Sequence, residues 1–286
     1  MEIPAEIRAL LRCPDCGTEL APDEGALACR GGDRHRYAEE DGFLTFAKPG
    51  AGKYDPGYAA RYAALWAFGH HTLHSGADEP LYRCVSSLAA EALAGRPAPP
   101  VLVDAGCGVG RTLRDLATLA PEATVLGLDG SLAMLEQARA VTRNLDPIAV
   151  DLAGYGFGTL QIPPRPCPNV HLFRCDIEHL PVAGGSADLI LSVNTVDRLP
   201  HGPEKTLAEA HRVLRPGGTL IFTDPLNWTD ADLWRRYPDA PSLLALLESL
   251  GFEIITWFDD LLYHELLDAR GSIEEFRTMV VGAVRR

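Results

Sequence analysis

Val101-Leu-Val-Asp-Ala-Gly-Cys-Gly-Val-Gly110 is the stretch from which the fold is read. An apolar strand enters a turn carrying Gly106, Gly108 and Gly110, and a helix leaves it at Arg111. Glycines let the backbone approach a ligand where a Cβ would collide. The start of the helix presents free N–H groups. A second apolar run ends in Leu-Gly-Leu-Asp129, where a carboxylate can hold two ribose hydroxyls. The combination points to a nucleoside-containing ligand.

The spacing narrows the choice. A dinucleotide fingerprint, G-x-G-x-x-G, would need glycine where Arg111 stands. No P-loop lysine and hydroxyl follow, which disfavours ATP and GTP. Asp104, just before the turn, repels a pyrophosphate and welcomes an ammonium group. The pattern D-x-G-x-G-x-G from Asp104 to Gly110 resembles that of the class I S-adenosylmethionine-dependent methyltransferases.

Working outward, strand signals at 101–104, 124–128, 169–173, 188–193, 218–223, 253–258 and 278–284 alternate with helices near 111–119, 131–143, 203–214 and 241–250. This predicts an α/β fold with a doubly wound parallel sheet. The last two strands resemble the antiparallel hairpin that ends the methyltransferase sheet. The whole then reads as a seven-stranded Rossmann-like methyltransferase sheet with a small N-terminal zinc ribbon. The expected domains are 1–47 (zinc ribbon), 48–99 (linker and helical segment) and 100–286 (methyltransferase domain). Tyr58, Tyr62, Leu65 and Trp66 stand at helical spacing, as a cap for the site or as ordinary packing. His70, His71 and His74 read as a solvated or substrate-facing turn rather than a metal site. Residues 144–168, rich in Gly, Pro and aromatic side chains, break the rhythm and are expected to form a lid over adenosine or acceptor, with disorder as the alternative.

At the N-terminus, Cys13-Pro-Asp-Cys16, then Cys29 and His35, give metal-ligand spacing for a structural, closed Cys3His zinc site. Such an ion would hold together a module too small to fold on its own core. The stretch from Arg36 to Leu44 looks like the closing strand and turn of zinc ribbons on some bacterial methyltransferases, including ribosomal-RNA guanine methyltransferases. Those have fewer residues between the last two ligands, so Asp33 competes with His35 as fourth ligand. Seven cysteines, odd in number and unevenly spread, argue against a disulfide framework. The first residues lack a signal peptide's basic and apolar regions, and no apolar run reaches the ~18 residues of a membrane span. A cytoplasmic protein with no membrane partner is expected. A net charge of −13 argues against nucleic acid as partner.

The resemblance implies S-adenosylmethionine as cofactor. It places Gly106, Cys107, Gly108, Asp129, Gly130 and Ser131 around the methionine and ribose, with Asp104 orienting the amino acid. Asp176 and Ile177 would read the adenine, and Asn194 would face the methionine portion. Ser192-Val-Asn-Thr-Val-Asp197-Arg198 resembles the N-x-x-D-R signature of imidazole N-methylating enzymes, those acting on mercaptohistidine (ovothiol-type) and on protein histidine. A carboxylate bonded to one ring N–H fixes the tautomer and stabilises the charge that develops as the other nitrogen is methylated. Asp197 and Asn194 are therefore the candidate catalytic residues, with Arg198, Trp228, Tyr263, His264 and Arg270 as candidate acceptor contacts. The expected partner is a small-molecule or peptide imidazole, a thio- or selenohistidine for example. An RNA base methyltransferase and a non-catalytic cofactor-binding subunit are the competing readings.

Overall fold

A computed structural model describes residues 3–32, 34–47, 56–73, 79–96 and 99–286. Asp33 and His74 lie outside the described residues. The strands of the large sheet are β1 (Val101–Ala105), β2 (Thr124–Asp129), β3 (Val170–Arg174), β4 (Ala187–Val193), β5 (Leu214–Asp224), β6 (Phe252–Leu266) and β7 (Ile273–Arg285). Their spatial order is β3-β2-β1-β4-β5-β7-β6. The first five are parallel; β7 runs antiparallel between β5 and β6. Continuous apolar runs such as Val101-Leu-Val form central strands because parallel strands are covered on both faces. The seven-stranded methyltransferase-type sheet is thus present.

The helices after the N-terminal segment are α1 (Pro56–Phe68), α2 (Pro80–Leu93), α3 (Arg111–Leu119), α4 (Leu132–Arg143), α5 (Glu204–Val213), α6 (Ala231–Arg236) and α7 (Ala240–Ser249). One apolar cluster on a face of the sheet gathers Val103, Leu126, Ile190, Leu220 and Phe222 with Leu207 of α5 and Leu243 of α7. The other gathers Leu102, Val125, Leu189 and Ile221 with Val85 of α2 and Leu113 of α3. None of the described helices is long and apolar enough to cross a membrane.

The 144–168 segment is corrected by the structure. It forms a small antiparallel hairpin, Ile148–Asp151 against Thr159–Ile162. Val150, Leu152 and Ile162 bury themselves against Leu65 and Phe68 of α1 and against Met134 and Val141 of α4. The expected lid is a buttress behind α1. The apolar residues Val150, Leu152 and Ile162 are its packing face.

A π-helical turn, Gly69–Leu73, continues α1. It sends consecutive histidines to different places. His71 is buried, accepts from Arg114 at Nδ1 (2.8 Å) and bonds the Val109 carbonyl through Nε2 (2.9 Å). Burial holds it well below the usual histidine range, so it is a neutral structural residue.

The N-terminal segment has a short helix (Ala5–Leu10), a hairpin (Leu20–Asp23 with Ala26–Cys29) and two further strand pairings. It shares the core of the first face through Ile7, Leu11, Tyr37 and Phe46, which pack with Phe173 and Ile177. Backbone bridges join Leu11 to Val182 and Thr45 to Arg174.

Candidate functional site

A cavity of about 430 Å³ opens at the carboxyl ends of the parallel strands, where ligands sit in doubly wound sheets. Gly106, Cys107, Gly108, Asp129, Gly130, Ser131, Asp176, Ile177, Asn194, Asp197, Arg198 and Tyr263 all line it.

The turn after β1 is held from below. The N–H groups of Gly106 and Cys107 both donate to the Leu128 carbonyl, at 2.8 and 3.1 Å. Gly106 has φ +86°, and a Cβ there would strike Thr195, lying 2.6 Å from Oγ1. Gly108 has φ +50°, and a Cβ there would meet nothing within 4 Å. The first glycine is required by packing; the second keeps the surface bare for a ligand.

Asp129 ties both loops together. One carboxylate oxygen accepts the Gly108 N–H at 2.9 Å, the other the Ser131 N–H at 2.8 Å. Each oxygen retains a lone pair for a hydroxyl. Asp104 does not line the cavity. It lies buried beneath the turn, accepts the Thr112 hydroxyl through one oxygen, and offers the other with no hydrogen-bond partner among the described residues. Thr112 lines the wall in its place. Asp176 accepts the Glu178 N–H at 2.9 Å and is half-exposed. Tyr62 and Trp66 form a roof, edge to face at 5.8 Å, and the buried Trp66 Nε1–H has no acceptor among the described residues. An orphaned Trp66 N–H in the roof, a glycine cradle and a two-oxygen carboxylate match a nucleoside carrying an amino acid.

Asn194 ends β4 with φ +49°, a conformation rare for residues other than glycine. Its side-chain oxygen accepts the Thr223 hydroxyl at 2.8 Å, and its N–H donates to the Thr223 carbonyl at 3.0 Å. The strained backbone is held by β5, and the side-chain NH2 keeps donor capacity.

Beyond Asn194 the cavity becomes acidic and aromatic. Asp197 is fully buried and pairs with Arg198 (Nε to Oδ2, 3.2 Å). It does not cap α5, whose N-terminal residue position is Pro203. Its backbone N–H donates to Asp224 Oδ2 at 2.9 Å, while Asp224 Oδ1 accepts the Leu226 N–H at 2.7 Å. Burial first, and the Asp197 charge second, push the Asp224 carboxyl well above its usual range. Tyr263 donates to Glu265 Oε1 at 3.0 Å, which leaves its oxygen to accept from His70 Nε2 at 3.3 Å. The His70 and Tyr263 rings stand parallel, and Tyr82 meets both edge-on. Glu274 lies directly across the hairpin from Glu265, and both reach the cavity.

Burial pushes Glu265 up to about 7 against the pull of the Tyr263 hydrogen bond, and the Glu274 charge adds to the rise. Burial likewise lifts Asp104 to about 7, opposed by Thr112. Both folded values lie above those of an unfolded carboxyl. Their contribution to stability is therefore full below about pH 4 and is lost as pH rises through about 7. The melting temperature of the ligand-free chain should fall between about pH 5 and pH 8, and Glu265→Gln should flatten that fall. A wild-type profile that stays level would remove both assignments.

Three sequence-derived acceptor contacts are not brought to the cavity. Trp228 is buried against Tyr237 and donates to the Tyr237 carbonyl at 2.7 Å. His264 alternates to the opposite face of β6 from Tyr263 and Glu265 and bonds Glu275 at 3.2 Å. Arg270 is exposed in the hairpin turn. The residues missed were Tyr82, Arg111, Glu265, Glu274 and Phe276, all of which line the wall. Period-two alternation from Tyr263 would have found Glu265; nothing local marks the others.

Away from this cavity, the ligand atoms of Cys13, Cys16, Cys29 and His35 lie within 4.8 Å of one another. His35 Nδ1 is 3.5 Å from Cys13 Sγ and 3.6 Å from Cys29 Sγ. A tetrahedral ion with Zn–S of about 2.3 Å and Zn–N of about 2.0 Å requires S···N edges of about 3.5 Å.

A family model described as a methyltransferase domain matches residues 103–222. The trans-aconitate 2-methyltransferase of Methylobacterium nodulans is 31% identical over 203 residues, covering 68% of this chain and 67% of that protein. The enzyme of the same name from Deinococcus radiodurans is 36% identical over 126 residues, 44% of this chain. The match spans only 38% of that relative's length. Among solved structures, a SAM-dependent methyltransferase from Aquifex aeolicus aligns with TM-score 0.49 and 15% identity, over 82% of this chain and all of that one. With a glycine turn after β1, a carboxylate at the end of β2, the methyltransferase-domain match and the 31%-identical Methylobacterium nodulans relative, the chain belongs to the class I S-adenosylmethionine-dependent methyltransferases.

Proposed function

We propose that this chain methylates a ring nitrogen of an imidazole acceptor, a histidine derivative, with S-adenosylmethionine as donor. The observation that carries this reading is Asp197, a fully buried carboxylate in the cavity wall beside Asn194, paired with the one-third-exposed Arg198. When bound, the cofactor supplies an activated methyl group on a sulfonium. Gly106 to Gly108, Asp129, Asp176 and Ile177 would hold its nucleoside and amino-acid parts.

The chain's own residues then have to orient the acceptor and manage one proton. Asp197 accepts the acceptor's N–H, so the opposite nitrogen carries the lone pair that attacks. Positive charge would pass from the sulfonium to the ring as the methyl's C–S bond gives way to the new C–N bond, and the carboxylate would stabilise it. Asp197, or Glu265 in its ionised form, takes the proton. Arg198 holds Asp197 in place. Tyr82, Tyr263 and Phe276 supply flat apolar walls suited to a heteroaromatic ring and exclude water.

The acid surplus separates this reading from the relatives' named substrate. A tricarboxylate such as trans-aconitate would meet Asp197, Glu265 and Glu274. Arg111 already donates to Asp115 and the His70 carbonyl, and Arg198 is engaged with Asp197. A neutral or cationic acceptor suits this wall better, and an RNA phosphate backbone suits it worse. The test is a panel of acceptors: histidine, thio- and selenohistidine, histidine peptides, trans-aconitate and an RNA fragment, scored by mass for the gain of one CH2. Methylation of trans-aconitate or RNA alone would overturn the imidazole reading. Cofactor retention with no turnover on any of them would favour a regulatory subunit.

We also propose one structural zinc ion on Cys13, Cys16, Cys29 and His35, the S···N edges supporting it. Metal analysis should find one zinc per chain. Cys29→Ser should abolish it and lower the melting temperature, because the free energy of ion binding adds to that of folding. Purified protein without stoichiometric zinc would refute the assignment.

A further inference from the structure

Arg174 is the last residue of β3, immediately before the adenine-side wall of Cys175, Asp176 and Ile177. Its guanidinium reaches in two directions. Nε donates to the Gly130 carbonyl at 3.1 Å, inside the loop that carries Asp129 and Ser131. The other end pairs with Glu40 of the N-terminal segment. Its main chain is held as well: the Phe46 N–H donates to the Arg174 carbonyl at 2.7 Å, continuing the sheet by one bridge.

These contacts continue to the cysteine cluster. Phe46 packs on Phe173 and on Tyr37, with ring centroids 6.2 and 4.9 Å apart. The Tyr37 hydroxyl lies 3.0 Å from Cys13 Sγ. A second strap lies beside the first. Arg139 of α4 donates to the Asp41 carbonyl at 3.1 Å and covers the Phe43 ring at 4.4 Å. Two loops of the cavity, after β2 and after β3, are thus braced from the N-terminal segment.

We propose that Arg174 is a positioning residue for the cofactor, and that through it the N-terminal metal-site segment is an integral part of the cofactor cradle. Arg174 itself does not line the cavity. It sets the loop at Gly130 and the exit of β3 at the separation a ribose and an adenine need, and Glu40 keeps the guanidinium aimed. The proposal rests on the reading of the cavity as a cofactor site and is independent of the acceptor. Energetic coupling of this kind follows contiguous packed and hydrogen-bonded groups. It is reciprocal: a docked segment tightens cofactor binding as much as the cofactor tightens docking.

The test is calorimetric titration of S-adenosylhomocysteine into the full chain. Arg174→Met should weaken binding about tenfold, the scale of one lost charge-assisted hydrogen bond. Glu40→Gln should weaken it about threefold, and the double variant should be no weaker than Arg174→Met alone, because the two act as one unit. Arg174→Lys, which keeps the charge but not the fork, should fall between wild type and Arg174→Met. In turnover, KM for S-adenosylmethionine should rise while KM for the acceptor holds. Circular dichroism checks that each variant is folded; should Arg174→Met fail to fold, the Glu40→Gln and Arg174→Lys titrations decide. Wild-type affinity in folded Arg174→Met would overturn the proposal, as would effects of the two single variants that simply multiply. A wild-type chain that does not bind S-adenosylhomocysteine at all would overturn the cofactor reading beneath it.

Discussion

Replacing Asp197 by Asn should lower turnover at least ~100-fold while S-adenosylhomocysteine binds as before. The amide has nearly the volume of the carboxylate, so the buried site stays filled. It carries no charge to stabilise an imidazolium and accepts no proton. The Asp197 backbone N–H to Asp224 is untouched by the change. Loss of the Asp197 charge also removes one cause of the raised Asp224 carboxyl, so that support is relaxed rather than broken. Arg198 loses its partner but lies about one-third exposed, where water can take over. Single-turnover assays with the acceptor, alongside calorimetry, separate the two effects. A variant that turns over at the wild-type rate would take Asp197 out of the chemistry.

Gly106→Ala should destroy cofactor binding and cost several kcal/mol of stability. The left-handed backbone alone costs an alanine about 1–2 kcal/mol. The added Cβ would then lie 2.6 Å from Thr195 Oγ1 and 2.9 Å from Thr195 Cβ, and the Cβ of so short a side chain cannot swing away by a rotamer change. Thr195 is already committed to the Val193 carbonyl at 3.0 Å. Gly108→Ala is the control. It meets no atom within 4 Å, so its stability loss should be the smaller strain term, although its methyl still intrudes on the ligand surface. Thr195→Gly placed on Gly106→Ala should recover part of the stability. Thermal melts and S-adenosylhomocysteine titration report the two losses. Equal melting temperatures for Gly106→Ala and Gly108→Ala would contradict the steric account.

The contrast between these sites shows what local sequence carries. The turn from Asp104 to Arg111 was legible because every feature of it is local: an apolar strand, glycines at positive φ and a helix start. Asp129, Asp176 and Asn194 were legible because each closes an apolar run, and in a parallel sheet such ends meet at one edge. The cysteine cluster was legible from spacing, since Cys13 and Cys16 share one knuckle. The acidic and aromatic wall was legible only in part: Asp197, Arg198 and Tyr263 line the cavity, but the residues that meet them were not marked. Asp224 stands 27 residues after Asp197 and is brought to it by strand order. Glu274 meets Glu265 only through the register of a hairpin with two bulges. Trp228 and His264 look like functional residues in a sequence, yet one fills a core and the other faces outward.

By itself, then, the amino-acid sequence determined the periodic elements, the cofactor turn and the chelating spacing, because backbone conformation and short-range geometry act over a few residues. Tertiary structure alone decided which side chains complete the acidic, aromatic end of the cavity, that residues 148–162 brace α1 instead of closing the site, and that Arg174 joins Glu40 to Gly130. Those outcomes depend on strand order, register and packing between segments far apart in the chain, for which no local pattern is a proxy.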